Sequence, residues 1–300
     1  MTLRKKIRYR IEYGLFACLI LIFRILPIGW IPIEARILRG IFKLIGSRYS
    51  RVVSKNLLIA FPRLSPRERD RLKKEVYRFF SRMMVWNLNL FAKRNIERLL
   101  PPVKIDHPEI LKNFAGKGVI LITAHFGNWE LLPFILKESL GLPIHSIARS
   151  MDNPYIEEKV SAFRKYMGSR VIYKNKALRR ILKVLDDHQP IGFLIDQNVI
   201  PKEAIKAVFF DQEIHATPIL ARIHIKKKNP VIPIFLCHEG DHLRVDIHPP
   251  VPVTTPGGAP KSVKQLTQEY LTIIEKKIKE YPSQWFWFHN RWKNLGRDIR

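Results

Sequence analysis

The chain has 300 residues, of which 46% are hydrophobic and 11% aromatic, so it can bury the core of one large domain or two smaller ones. Lysine and arginine total 53 against 26 aspartates and glutamates, a formal net charge of +27. Such an excess predicts an acidic partner: nucleic acid, an anionic membrane surface, a phosphorylated substrate or an acidic protein. Cys18 and Cys237 lie far apart in different contexts, which excludes a disulfide framework and a cysteine-based metal cage.

The N-terminus, residues 1–30, combines a basic flank with an apolar run over residues 13–23. Arg24 and Pro27 interrupt this run before it reaches the roughly 20 residues that a spanning helix needs. No small-residue cleavage site of a signal peptide follows it. We therefore predict an uncleaved membrane anchor that spans the bilayer or lies in its interface, with the basic flank on the cytoplasmic side. The alternative is a buried core helix.

Residues 31–100 are predicted to be helical. The clearest helix start is at Ser65, followed by Pro66 and Glu68. Serine followed three residues later by glutamate is typical of a capping box, and proline is favoured at the first helical position.

From residue 118 the pattern changes to short apolar strands that alternate with helices. Strands are predicted over "GVILITAH", "LPIHSIAR" and "PIGFLIDQN", and a hairpin over residues 229–248. A helix is predicted to begin near Asn128, and another is predicted after Asn153-Pro154. This alternation favours an α/β architecture.

Three of these predicted strands end in polar, chemically versatile residues. The first ends at His125, the second at Arg149, and the third at Asp196, Gln197 and Asn198. Ligands of open α/β sheets bind beyond the carboxyl ends of the strands, so we expect these side chains to share one edge of the sheet. One polar ending would carry no weight, because every strand must end in something polar; three favour a site.

His125 and Glu130 form a candidate acid–base pair within "AHFGNWELL". Five residues apart on one helix, they would point in different directions. They can meet if His125 lies at the strand end and Glu130 in the first helical turn, since Gly127 permits a sharp turn and Asn128 is a good N-cap. A carboxylate on one imidazole nitrogen would leave the other nitrogen free to take a proton.

This pair would be two-thirds of a catalytic triad whose nucleophile is missing. The chain contains no Gly-x-Ser-x-Gly elbow, so the hydroxyl could belong to the substrate, which would then attack an acyl donor directly. The alternative is a structural histidine bonded to a local glutamate, because one His/Glu pair is weak evidence for a site.

Several segments resemble a known family. "HFGNWE" fits the H-x-x-x-x-D/E motif of glycerolipid and lipid A acyltransferases, the lysophospholipid acyltransferase superfamily. "GVILITAHFGNWELL", "PIGFLIDQN", "VFFDQEIHATPILA" and "YPSQWFWFHNRWK" are similar to the late, Kdo-dependent lauroyl/myristoyl acyltransferases of lipid A biosynthesis, as is "VSKNLLIAFPRLSPRE" after a basic anchor. The chain departs from the family pattern at Asn198, where an acidic residue is common, and at Asp211, where glycine often stands.

The resemblance implies an α/β fold with a mixed, mostly parallel sheet flanked by helices and an N-terminal membrane-anchoring helix. An anchor over residues 1–30 would precede an acyltransferase domain over 31–300, helical over 31–100 and α/β over 101–300. The catalytic residues would be His125, the general base, and Glu130, its partner. Residues that would bind substrate or stabilise the oxyanion are Arg149, Arg164, Asn128, Asp196 and Gln197.

The resemblance also implies the partners. Acyl carrier protein would carry the donor thioester, and a phosphorylated lipid A precursor would supply the acceptor hydroxyl at the cytoplasmic face of a bacterial inner membrane. No metal, cofactor or acyl-enzyme is expected. Two alternatives stay open: acylation of another membrane lipid, such as a phosphatidylinositol mannoside, and a basic membrane-binding protein without activity.

Two patterns are given little weight. "HEGDH" matches a zinc-protease motif, but that motif requires a helix and Gly240-Asp241 is typical of a turn. The basic runs lack any accompanying nucleic-acid-binding motif, so no nucleic acid is expected as a partner.

Overall fold

The computed structural model describes residues 2–174, 177–199, 202 and 204–293; the end of the predicted domain, residues 294–300, lies outside them. The helices are α1 Leu3–Ile25, α2 Ile31–Ile45, α3 Ser47–Ala60, α4 Pro66–Lys93, α5 Ile96–Leu99, α6 Pro108–Lys112, α7 Leu132–Leu140, α8 Pro154–Tyr166, α9 Ala177–Asp186, α10 Ile219–Lys227 and α11 Val263–Glu280. The strands are β1 Val103–Asp106, β2 Ile120–Thr123, β3 Ile144–Ala148, β4 Ser169–Tyr173, β5 Ile191–Leu194, β6 Ile205–Phe209, β7 Gln212–Ala216, β8 Val231–Glu239 and β9 His242–Ile247.

A central seven-stranded sheet has the order β1-β9-β8-β2-β5-β3-β4. The predicted hairpin of β8 and β9 is antiparallel, and every other neighbouring pair in this sheet is parallel. β6 and β7 form a separate antiparallel hairpin. The prediction of an α/β fold with a mixed, mostly parallel sheet is therefore confirmed.

β2 is buried on both faces of the sheet, which explains why its sequence is continuously apolar rather than alternating. Ile120 and Ile122 belong to one apolar cluster, together with residues of α9, α10, α11 and the C-terminal tryptophans. Leu121 belongs to a second cluster, with residues of α7 and α8. Helices therefore flank both faces of the sheet, as strand periodicity requires.

The predicted helix starts are confirmed at two positions. Ser65 and Glu68 form the reciprocal capping box of α4, and the Asn153 side chain accepts from the first amides of α8. The third expectation is wrong: α7 begins at Leu132 rather than near Asn128. The residues before it form a turn, in which the Leu131 amide donates to the carbonyl of Asn128.

At the N-terminus, α1 and α2 lie outside the sheet and pack on α4. Among the described residues no single helix is both long and apolar enough to cross a membrane; Leu3–Ile25 and Ile28–Phe42 meet that criterion only together, and a bend of 106° separates them. The two helices and the turn between them leave a row of large apolar side chains exposed: Leu3, Ile7, Ile11, Leu15, Leu19, Leu21, Ile22, Ile25, Trp30, Ile33, Ile37 and Ile41. The membrane anchor over residues 1–30 stays a prediction.

Candidate active site

The loop after β2 places His125 at the carboxyl edge of the sheet. Gly127, two residues on, has a φ of +57°, and a Cβ at this position would lie 1.7 Å from the carbonyl oxygen of Leu236. Both the left-handed backbone and the close approach to β8 therefore require glycine.

The C-terminal segment holds this loop from the other side. The Gly127 amide donates to the carbonyl of Gln284, and the Phe286 amide donates to the carbonyl of His125, each at 2.9 Å. Trp285 lies between them, paired with Phe126 in an isolated antiparallel bridge. The backbone on both sides of Phe126, immediately after the histidine, is thus fixed by residues more than 150 positions away.

Asp196 is the carboxylate that holds His125. Its Oδ1 lies 2.8 Å from Nδ1 of the histidine, and its Oδ2 accepts from the His125 backbone amide at 3.1 Å. The indole of Trp285 donates to the same Oδ2 at 2.8 Å. Burial of Asp196 opposes ionisation, but the histidine and the indole outweigh it, and the pKa of this carboxyl lies below its ordinary value. The carboxylate is therefore ionised beside the imidazole.

The other imidazole nitrogen, Nε2, contacts an amide rather than a carboxylate. Asp196 is only 2% exposed, whereas the His125 side chain is 21% exposed. The amide nitrogen of Gln197 lies 3.1 Å from His125 Nε2. With its proton on Nδ1, the imidazole presents Nε2 as an acceptor, the form that a general base requires. Gln197 occupies this acceptor and is the group that a substrate hydroxyl would displace.

Glu130, predicted as the partner of His125, is bonded elsewhere. Its carboxylate accepts two hydrogen bonds from Arg164 of α8, at 2.9 and 3.3 Å. Glu130 contacts Arg164 rather than His125 because α7 starts late. Glu130 therefore lies in a turn rather than in a first helical turn, and this turn brings it to the guanidinium. Burial works against the charge of Arg164, but Glu130 outweighs it and raises the pKa of the guanidinium.

The remaining predicted site residues lie in two different settings. Arg149 follows β3 at the same edge of the sheet, but its side chain is 77% exposed and lies 3.7 Å from Asp152. Asn128 is fully buried, and it is not an N-cap. Its amide exchanges two hydrogen bonds with the amide of Asn87 in α4, at 2.8 and 3.1 Å. Asn128 therefore fastens the active-site loop to α4.

Aromatic side chains surround the histidine. Trp129 and Phe286 have ring centroids 5.1 and 6.3 Å from the imidazole. Beyond Gln197, the backbone amide of Asn198 donates to Nε2 of His289 at 3.0 Å. Trp285 and Phe286 were not predicted as site residues. The unusual density of aromatic residues in "QWFWFHNRWK" was the available indication, but such density is also typical of core packing. Three tryptophans near the C-terminus are indeed buried: Trp285, Trp287 and Trp292.

Among the described residues no group of three or more His, Cys, Asp and Glu side chains is arranged to hold a metal ion. What the site offers is an oriented imidazole and an aromatic rim, with a guanidinium bonded to Glu130 on the same loop. An oriented imidazole of this kind is suited to proton abstraction from a substrate.

Comparison with known proteins assigns the family. The description "Bacterial lipid A biosynthesis acyltransferase" belongs to a family model that matches residues 1–294. The lipid A biosynthesis palmitoleoyltransferase of Escherichia coli (strain K12) is 24% identical over 257 residues, which cover 82% of this chain and 79% of that enzyme. The lipid A biosynthesis lauroyltransferase of the same strain is 24% identical over 267 residues, or 84% and 81%.

A phosphatidylinositol mannoside acyltransferase of Mycolicibacterium smegmatis is 22% identical over 182 residues, 59% of this chain; the match spans only 58% of that relative's length. The family model describes enzymes that transfer acyl groups. The chain belongs to the bacterial lipid A biosynthesis acyltransferase family.

Proposed function

We propose that the protein transfers a fatty acyl chain from acyl carrier protein to a hydroxyl group of a lipid A precursor, with His125 as the general base. The observation that carries the mechanism is the contact between His125 Nδ1 and the buried Asp196, since it orients the imidazole and leaves Nε2 as the nitrogen that can accept a proton. Family membership supports the reaction class.

The reaction would proceed by direct attack. His125 Nε2 takes the proton of the acceptor hydroxyl as its oxygen bonds to the thioester carbonyl carbon. The resulting tetrahedral intermediate collapses, the carbon–sulfur bond breaks, and the imidazolium returns the proton to the departing thiolate. Asp196 stabilises the imidazolium in between, as the carboxylate of a Ser-His-Asp triad does. No side chain of the enzyme becomes acylated.

Arg164 is the candidate residue to stabilise the negative charge that develops on the acyl oxygen, or to bind a substrate phosphate. Two of its N–H groups are bonded to Glu130, and a guanidinium has five donors. Glu130 would thus act by positioning Arg164 rather than by contacting His125. Arg149 and the backbone amides of Asn128 and Trp129 are further candidates for the oxyanion, whereas the amides of Phe126 and Gly127 already donate to backbone carbonyls.

The charge of the protein agrees with these partners. Acyl carrier protein is acidic, the acceptor carries phosphates, and the cytoplasmic leaflet of a bacterial inner membrane is anionic. A chain with a net charge of +27 would be attracted to all three. The apolar row on α1 and α2 would hold the enzyme in or on that leaflet, within reach of a lipid acceptor.

A different acceptor lipid is the second candidate, favoured by the match to a phosphatidylinositol mannoside acyltransferase. The deciding experiment is a mass-spectrometric transfer assay with acyl-carrier-protein thioesters of several chain lengths. A Kdo-bearing tetraacyl lipid A precursor and a phosphatidylinositol mannoside would serve as parallel acceptors. We expect one acyl-sized mass gain on the lipid A precursor, lost in the His125→Ala protein.

The control variant is His107→Ala, since His107 is exposed and follows β1, which ends at the opposite edge of the sheet from β2. Transfer to the phosphatidylinositol mannoside alone would identify that lipid, rather than the lipid A precursor, as the acceptor. Transfer that survives His125→Ala would refute the mechanism. Salt-sensitive vesicle binding that does not depend on His125, without transfer to either lipid, would favour a membrane-binding protein.

A further inference from the structure

A polar cleft lies between α2, α3 and α4, on the helical side of the molecule. It has a volume of about 350 Å³, within the range of small-molecule sites. Its lining combines cations, hydroxyl groups and one aromatic ring: Arg39, Phe42, Ser50, Lys73, Tyr77 and Arg78. Nothing in the reaction derived above uses these residues.

The charges in this cleft are unbalanced. Asp70, the acidic residue of the lining, is paired with Lys74 at 2.6 Å. Among the described residues, Arg39, Lys73 and Arg78 form no ion pair. Instead, the ammonium of Lys73 donates to the hydroxyls of Ser50 and Ser54, at 2.7 and 2.8 Å. In the described lining, four cations, Arg39, Lys73, Lys74 and Arg78, thus face the single carboxylate of Asp70, which pairs with Lys74 and also acts on Lys73 at longer range.

A buried hydroxyl supplies a second, independent indication. The hydroxyl of Tyr77 lies beside Ser50 but makes no well-formed hydrogen bond in the described part of the chain, although the residue is only 6% exposed. A buried hydroxyl without a partner costs free energy, so such a group generally indicates a missing one. An acceptor that entered the cleft would satisfy Tyr77 and the cations together.

We propose that this cleft binds a phosphate group carried by a lipid. A phosphate has several strong acceptor oxygens, and guanidinium, ammonium and hydroxyl groups are its usual donors. A concave site of this size suits one compact anion. The carboxylates on the surface of an acidic protein would instead require a flat or convex basic face.

The position of the cleft indicates that the phosphate belongs to a lipid. α2 contributes Arg39 to the cleft, and Ile33, Ile37 and Ile41 of the same helix are exposed. The cleft also lies near the reaction site, since the rings of Tyr77, Phe288 and Phe286 follow one another at 5.2 and 5.5 Å, and Phe286 contacts His125. The phosphate could thus belong to the acceptor, a possibility that rests on the proposed function, or to a surrounding phospholipid.

Thermal unfolding in inorganic phosphate, compared with chloride at equal ionic strength, tests the site without turnover. A ligand that binds only the folded state raises the melting temperature. We expect a rise in the wild-type protein and none in Lys73→Met/Arg78→Gln. The matched control, Arg67→Gln/Arg71→Gln, removes the same charge from exposed positions of α4 outside the cleft and should keep the rise. Arg78→Glu alone changes an exposed side chain, so this variant should fold. It should still lose the phosphate-induced rise in melting temperature.

Two further measurements distinguish the lipid sources. If the phosphate belongs to the acceptor, Lys73→Met/Arg78→Gln should raise the KM for the phosphorylated acceptor roughly tenfold or more, the effect of losing charge-assisted hydrogen bonds, with little change in kcat. If it belongs to a phospholipid, the wild-type protein should bind phosphatidylcholine vesicles that contain phosphatidylglycerol more tightly than vesicles of phosphatidylcholine alone. The variant should lose this difference.

Three results would overturn the proposal. The first is an equal phosphate effect, or none, in the wild-type protein and all variants. The second is a loss of the phosphate effect in Lys73→Met/Arg78→Gln without any change in its KM for the acceptor or in its vesicle binding. The third is a raised KM for the acyl-carrier-protein donor in Lys73→Met/Arg78→Gln while phosphate still raises its melting temperature. That result would mean that these cations bind acyl carrier protein. Absence of transfer activity would refute the proposed function but would leave the thermal result valid.

Discussion

Asp196 accepts two hydrogen bonds from His125, one from the ring at Nδ1 and one from the backbone amide. One buried carboxylate therefore fixes both the tautomer of the imidazole and the position of the loop that carries it. Because β2 and β5 are parallel neighbours in the sheet, the two residues meet immediately beyond the ends of their strands.

Replacing Asp196 with asparagine should lower kcat by roughly a thousandfold or more, because the corresponding change in a Ser-His-Asp triad leaves the geometry but gives the wrong tautomer. Initial rates of acyl transfer would measure this. Trp285→Phe, which removes the indole donor to Asp196 and some buried ring volume but leaves the carboxylate in place, is the control and should cost far less. Retention of most activity by Asp196→Asn would exclude this carboxylate as the partner of the base.

Glu130→Gln should have a smaller effect, below the roughly hundredfold loss typical of removing a direct oxyanion donor, because Arg164 stays while its bidentate partner is weakened. The profile of kcat/KM against pH separates the two carboxylates. We expect the limb that reports the base to be unchanged in Glu130→Gln and altered in Asp196→Asn. A shifted limb in Glu130→Gln alone would restore the pairing of Glu130 with His125.

Gly127→Ala should destabilise the protein and abolish transfer. Gly240 is a matched control, since both glycines have a φ of +57° but a Cβ at Gly240 would meet nothing within 4 Å. Gly240→Ala should cost about 1 kcal/mol of unfolding free energy for the backbone alone. Gly127→Ala should cost about 1–3 kcal/mol more, because its methyl group would collide with Leu236. Equal melting temperatures in the two variants would contradict the close approach of the loop to β8.

His224 should make the protein sensitive to mild acid. It is buried against Tyr270, and burial lowers the pKa of this imidazole to about 4, with a contribution from Lys261. Between pH 6.5 and 4 the unfolded chain binds this proton and the folded protein does not, so stability should rise with pH by up to about 1.4 kcal/mol per unit. Denaturant unfolding of His224→Gln should show a shallower slope in this window.

The exposed His107 provides the control for that experiment, and His107→Gln should keep the wild-type slope. An identical slope in His224→Gln would mean that the buried imidazole does not titrate between the folded and unfolded states in this window.

The sequence predicted the parts of the fold that depend on local chemistry. Capping at Ser65 and Asn153 follows from side chains that bond amides two or three residues away. The common edge of the strand ends also followed from a rule, because parallel strands end on the same side. The sequence does not reveal which strand lies beside β2, and β5 is inserted between β2 and β3.

That insertion explains why Glu130 rather than Asp196 was predicted to hold His125. Glu130 was the nearest carboxylate along the chain, whereas Asp196 becomes a neighbour only through a strand pairing 71 residues away. The roles of these residues in catalysis stay predictions. The part played by Trp285 and Phe286 depends on an even longer connection, which no local pattern encodes.

The bonds between the His125 loop and residues 284–286 also set an order of events during synthesis. A nascent chain emerges with its N-terminus first, so α1 and α2 can reach a lipid surface while the sheet is still being made. The sheet can then pair as far as β9, yet the histidine has neither its backbone bond to Phe286 nor the indole that holds Asp196. With the proposed anchor in α1 and α2, the enzyme would reach a membrane before its histidine is held in place, and the site would be complete only once residues 285 and 286 have been made.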